Sequence, residues 1–307
     1  MLTGIHFLLT YSCPYECDHC FLHCSPNASG TFTLNQLRQV FEEIDKIESI
    51  ETVFFEGGEP FLYFPLMLAG IQMAHKRGLN SGIVTNGYWA NSEEDACLWL
   101  EHLTNLGVCQ ISISEDDYHG SDPENSPAQM IAQAAKHLGL PTGTICIDPP
   151  IITKNPSDAD GEKGTPVVGG GVKFRGRAAE KLTDGLPRKN ATELTTCPDE
   201  DLENPGRVHI DSFGHVHICQ GLSMGNIWST PLSELVANYN ARSHPICSEL
   251  IKGGPAQLAQ KFNVATDSGY IEECHLCYET RKALIGQFPE LLTPAQVYGL
   301  DDKASGC

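Results

Sequence analysis

Three cysteines fall in one short stretch, Cys13-Pro-Tyr-Glu-Cys17-Asp-His-Cys20, just after the apolar run Ile5 to Leu9. Thiolates at this CX3CX2C spacing can hold three irons of a four-iron, four-sulfur cluster and leave the fourth iron without a protein ligand. An open iron is a place for substrate chemistry, whereas a cluster that only shuttles electrons would more simply take four cysteines. Zinc binding or metal-free burial are the competing uses of such thiols.

A second motif, Gly57-Gly58-Glu59-Pro60, closes the next apolar segment. The triad together with this GGEP stretch resembles the radical S-adenosylmethionine (radical SAM) superfamily. The resemblance implies that the open iron chelates the amino and carboxylate groups of S-adenosylmethionine, and that one electron from the [4Fe-4S] cluster cleaves it to a 5′-deoxyadenosyl radical. It further implies that Gly57, Gly58 and Glu59 meet the amino group, and that His19 stacks on the adenine. Thr85, Asn86, Ser112 and Ser114 are candidates to donate to ribose or methionine groups. Val172-Lys173-Phe174-Arg175-Gly176-Arg177-Ala178 resembles the Gly-Arg-Ala stretch of relatives, so Arg175 or Arg177 would pair with the methionine carboxylate. A flavodoxin- or ferredoxin-like reductant is implied as partner.

The last third of the chain repeats the metal theme. Cys197 precedes a segment from His209 through Gly214 to Cys219 that reads as a hairpin, and Cys274-His-Leu-Cys277 follows later. This order resembles the auxiliary-cluster domains called twitch and SPASM, and implies a second, auxiliary [4Fe-4S] cluster on Cys197, Cys219, Cys274 and Cys277. A four-cysteine zinc site has the same spacing and stays open as an alternative. Of the remaining thiols, Cys24 reads as a neighbour of the triad rather than a ligand. Cys247 is the candidate catalytic hydrogen donor, by analogy with family epimerases, and Cys146 is a weaker one. No role is assigned to Cys307.

The elements that must position these residues read as strands alternating with helices, which means a parallel sheet with crossover helices. Strands are predicted at 5–10, 53–56, 82–85, 108–114, 144–148 and 172–175. Thr33 with Gln36 makes a capping box for a helix whose buried stripe runs Leu34, Leu37, Val40, Phe41, Ile44 and Ile47. Ser92 and Pro127 start two further helices, ended by Gly107 and Gly139. Six such units suit an α/β fold of the resembled kind: a partial (β/α)6 TIM-like barrel over residues 1–185, with a small auxiliary-cluster domain over 186–307. The Pro- and Gly-rich stretch 149–171 interrupts the pattern and is expected to be a substrate-side flap.

Composition narrows the partners. The formal charge is −19, with 20 Lys plus Arg against 39 Asp plus Glu, which opposes a nucleic-acid substrate and favours a neutral or cationic one. No run is long enough to span a bilayer, and Met1 is followed almost directly by the first strand, so neither a membrane partner nor a secretory leader is expected. Thirteen cysteines then suggest metal ligation in a reducing, cytoplasmic setting rather than disulfides. The expected substrate is a peptide or a polar small molecule. Epimerisation or other maturation of such a substrate is favoured, with oxidation or cross-linking the alternative, and a non-catalytic electron-transfer or zinc protein the reading from another class. Absence of a leader-binding module ahead of the first strand weighs against a peptide.

Overall fold

The computed structural model describes residues 1–119, 126–154, 166–266 and 269–300. Its central element is an eight-stranded sheet. Five strands come in sequence: β1 (Gly4–Thr10), β2 (Thr52–Gly57), β3 (Asn80–Thr85), β4 (Val108–Ser114) and β5 (Thr142–Ile145), each parallel to the next. Helices α1 (Leu34–Ile44), α2 (Phe64–Lys76), α3 (Glu93–Leu100) and α4 (Pro127–Leu138) make the crossovers.

Strand alternation sorts the side chains. Ile5, Phe7 and Leu9 of β1, Val53 and Phe55 of β2, and Ile111 and Ile113 of β4 join one apolar core with Leu37, Val40, Phe41 and Ile44 of α1. The intervening positions, among them His6, Leu8, Glu56, Val84 and Ser114, line a cavity on the other face. The Thr33–Gln36 capping box forms as expected. Leu34 does not join the stripe; it is exposed at the first helical position.

The sixth parallel strand is not where the sequence pattern put it. Residues 172–175 form no strand: the amide of Phe174 donates to the Glu272 carboxylate at 2.9 Å, and the chain turns at Gly176 into the short helix α5 (Arg177–Lys181). The place beside β1 is taken instead by a strand from the last third of the chain. Two small strands, β6 (Ile151–Lys154) and β7 (Pro166–Gly169), pair within the stretch expected to be a flap, whose centre lies outside the described residues, as does Cys307. Next, β8 (Arg207–Asp211) runs parallel to β1, with Ile5 opposite Val208 and His6 opposite His209. The predicted hairpin follows, with β9 (His215–Cys219) antiparallel to β8 and β10 (Leu222–Asn226) at the edge, so the sheet order is β10-β9-β8-β1-β2-β3-β4-β5. After α6 (Leu232–Asn238), helices α7 (Cys247–Lys261) and α8 (Glu273–Leu284) build a second apolar core that takes in Leu8, Tyr11, Cys13 and Cys24. Among the described residues no helix is long and apolar enough to cross a membrane.

Candidate active site and metal centres

Cys13, Cys17 and Cys20 lie in the loop that leaves the carboxyl end of β1 and line one end of a cavity of about 370 Å³. Two contacts shape that loop. The Gly58 amide donates to Thr10 O at 2.7 Å and the Glu59 amide to Ser12 O at 3.0 Å, and a Cβ on Gly58 would stand 2.1 Å from Ser12 O. Glycine is required there because the end of β2 presses on the cysteine loop itself. From the other side, Gly176 packs against Cys20 O and Phe21 Cα with φ +60°, and the Arg177 amide donates to Cys20 O at 3.0 Å. The Arg177 guanidinium donates to Cys17 O at 2.6 Å and to Cys24 O. Arg177 therefore serves the loop backbone.

Burial pushes the Cys13 thiol up to about 11 and the Cys17 thiol to about 12, while a hydrogen bond from Cys24, helped by Arg177, pulls Cys20 down to about 6. Cys24 thus touches a triad member and lines the same cavity. Asn86 Nδ2 points at Cys13 Sγ, 3.5 Å away.

Glu59 is fully buried, and its carboxylate accepts from the Phe61 amide at 3.0 Å, Thr85 Oγ1 at 2.9 Å and the Asn86 amide at 2.7 Å. It fastens β2 to β3, and burial outweighs these bonds to push its carboxyl up to about 7. Thr85 Oγ1 also accepts from Gly87 N and Trp89 Nε1, so this hydroxyl is engaged within the strand end. Gly57, Gly58, Thr85, Asn86 and Ser114 line the cavity; Ser112 sits on the same face, 3.5 Å from Gln110 Nε2, outside the lining. His19 lines it too, tilted against Tyr118 with ring centroids 4.5 Å apart, and burial lowers its imidazole to about 4. His119 beside it is held by Asp116 at 2.7 Å.

Cys197 from a loop, Cys219 from the end of β9, and Cys274 and Cys277 from α8 converge around a second, tighter cavity, together with the buried Arg175 and Arg281. Arg175 Nη1 donates to Cys219 Sγ at 3.3 Å, and the Cys274 thiol donates to Asp199 at 3.1 Å. Arg175 faces this cavity and the first one, with its guanidinium 5.0 Å over the Phe21 ring. Its position is beside the second cysteine set as well as the first. Among the described residues, the groups with three ligand atoms within 4.8 Å of one another contain no cysteine. Four thiolates on one zinc ion would stand roughly 3.8 Å apart. The wider setting of both sets fits a multi-iron cluster better than a single ion, and the two guanidiniums suit its negative charge.

Cys247 is buried at the start of α7, accepts from the Tyr239 hydroxyl at 3.6 Å, and lines neither cavity. Cys146 is exposed and 3.5 Å from Asp148. Sequence reasoning missed His6, Glu56 and His209, which line the first cavity. A signal was available for two of them: His6 and Glu56 are polar residues at cavity-side positions of the largely apolar strands β1 and β2.

Residues 7–149 match the family model described as Radical SAM superfamily. The protein YydG of Bacillus subtilis (strain 168), whose name assigns it to peptide biosynthesis, is 24% identical over 124 residues, 40% of this chain and 39% of its own length. An S-adenosylmethionine-dependent nucleotide dehydratase of Selenomonas ruminantium is 28% identical over 87 residues, 28% of this chain and 31% of its own. The chain therefore spans well under half the length of these curated relatives. Among solved structures, BtrN in complex with AdoMet and 2-DOIA aligns with a TM-score of 0.49 at 18% identity, covering 78% of this chain and 83% of that one. The family match takes in the cysteine loop, the Gly57-Gly58 strand end and strands β2 to β5 together, so it is over residues 7–149 that the chain is similar to the radical SAM superfamily.

Proposed function

We propose that the chain is an enzyme that cleaves S-adenosylmethionine reductively and abstracts hydrogen from a C–H bond of a peptide or polar small molecule. The observation that carries this reading is the gathering of Cys13, Cys17 and Cys20 at one end of a roomy cavity whose wall includes Gly57, Gly58 and His19. When bound, a [4Fe-4S] cluster with S-adenosylmethionine on its open iron supplies a 5′-deoxyadenosyl radical. Cys13, Cys17 and Cys20 would hold three irons, and Arg177 keeps their loop in shape. Asn86 aims an N–H at the Cys13 sulfur, a contact that favours the reduced state of a cluster. His19, packed on Tyr118, offers a neutral ring face for the adenine. Glu59 acts on the nucleoside indirectly, by fixing Thr85 and Asn86.

Cys197, Cys219, Cys274 and Cys277 would hold a second cluster in the same reading. Arg175, which lines both cavities, favours oxidation of the substrate with that cluster as electron acceptor. Epimerisation with Cys247 as hydrogen donor has less support, because this thiol lies outside both cavities. The name of YydG favours a peptide substrate, and the acidic balance of the chain favours a cationic group on it.

Anaerobically reconstituted protein, reduced with dithionite, is expected to release 5′-deoxyadenosine from S-adenosylmethionine, and Cys17→Ala to release none. A wild-type protein with full iron content and no release would overturn the proposal. In heavy water, an oxidised product carries no new deuterium, whereas an epimer carries one at the inverted carbon.

A further inference from the structure

We propose that His6, Glu56 and His209 form a divalent-metal site in the wall of the first cavity, apart from both cysteine sets. Three adjacent strands supply the three side chains. His6 on β1 lies directly opposite His209 on β8, and Glu56 on β2 pairs with Leu8, two residues along β1 on the same face. His6 Nδ1 is 3.3 Å and His209 Nε2 3.0 Å from Glu56 Oε1, and one ligand atom from each residue lies within 4.8 Å of the other two. Neighbouring donors on one ion with bonds of about 2.0–2.2 Å stand roughly 3.0–3.5 Å apart, so these separations suit a shared metal.

Hydrogen bonding alone accounts for the group less well. His6 Nδ1 is buried and, despite its 3.3 Å approach, makes no hydrogen bond; His209 Nδ1 is likewise buried without a partner. The other two histidine–carboxylate groups among the described residues also hold an unpartnered buried nitrogen, His19 Nδ1 and His217 Nδ1, but differ at the carboxylate. His119 is hydrogen-bonded to Asp116, and His215 and His217 to Asp211, whose oxygens are further occupied by the Tyr11 hydroxyl and the His215 amide. Those carboxylates are used up within the fold. At Glu56 the His6 ring is stacked on Phe54 at 4.7 Å, and its Nδ1, 3.3 Å from the carboxylate, is the ring nitrogen aimed into the group that no hydrogen bond takes.

Two imidazoles and one carboxylate suit a borderline first-row ion such as Zn²⁺, Fe²⁺ or Co²⁺, with the remaining positions open to the cavity. A carbonyl or hydroxyl oxygen of the substrate would complete the shell. The site is thus a Lewis-acid anchor for an oxygen-bearing substrate, and its existence does not require the radical reading.

Zinc is the probe. Cluster-loaded protein equilibrated with Zn²⁺ and desalted is expected to keep one zinc per chain whose X-ray absorption shows nitrogen and oxygen neighbours only. Glu56→Gln and His6→Asn should each weaken that zinc on the order of 100-fold or more, since loss of an outer-shell partner alone costs up to that much. Their iron content and melting temperature report whether they are folded. A wild-type zinc shell that contains sulfur, no retained zinc, or equal retention by either folded variant overturns the site. Because 5′-deoxyadenosine release is measured separately, and the zinc difference between wild type and variants does not depend on what the thiolates hold, failure here is distinguishable from failure of the radical chemistry.

Discussion

Three carbonyls of the cysteine loop, those of Cys17, Cys20 and Cys24, hang on the one residue Arg177. Arg177→Ala strands two of them, at about 1–3 kcal/mol per buried acceptor, and is expected to lower stability in urea titrations by about 2–6 kcal/mol and to lose iron during desalting. Arg177→Lys, with a single ammonium in place of the fork, should recover only part of both. Gly58→Ala, with its Cβ pressed on Ser12 O, should cost on the order of 3 kcal/mol and shift the iron absorption spectrum, because backbone rather than a flexible side chain must move. The cysteines themselves were legible from spacing. Roles such as those of Arg177 and Glu59 were not, because a motif names residue types while the partner atoms are backbone groups brought in from distant sequence.

Among the elements, β1 to β4 and their helices could be read from apolar period and caps, and the capping box at Thr33 formed as read. Residues 172–175 misled because Val172 and Phe174 alternate with Lys173 and Arg175 as a strand would, yet the apolar pair packs in a small separate cluster and the Phe174 amide is taken by Glu272. The β8–β9 hairpin turns on Asp211, which is fully buried and accepts from Tyr11, His215 and His217. Burial opposes its ionisation, but the two histidines hold it well below the ordinary carboxylate range. Its contribution is therefore present above that range and lost as pH falls through and below it, and Asp211→Asn should flatten the acid limb of a stability–pH curve. Glu59 has the opposite sign. With its carboxyl raised to about 7, it penalises the fold increasingly as pH climbs from near 4.5 to 7, by about 3 kcal/mol in all. Denaturant titrations across that window should show Glu59→Gln with the shallower slope.

At the scale of the whole molecule, the sequence suggested two parts meeting near residue 185, while one sheet runs through both, since β8 supplies the neighbour of β1. A fragment of residues 1–185 would leave β1 as a bare edge with Phe7 and Leu9 beside it, and is expected to aggregate on expression, as judged by size-exclusion chromatography. No periodicity in a chain reveals which distant strand fills a given gap, and this is why the topology was not legible although most strands were. If both cysteine sets hold four-iron clusters, the full protein should carry about eight irons and a Cys274→Ala/Cys277→Ala variant about four.

The flank of β1 thus waits for a partner about 200 residues further along the chain. At ribosomal speeds of roughly 5–20 residues per second, that wait lasts about 10–40 s for each nascent copy. During those seconds the oxygen-sensitive thiols of the first loop emerge beside an unfinished sheet. Iron delivery ahead of translation's end would meet an unshaped pocket, so loading is best timed after the polypeptide has left the ribosome.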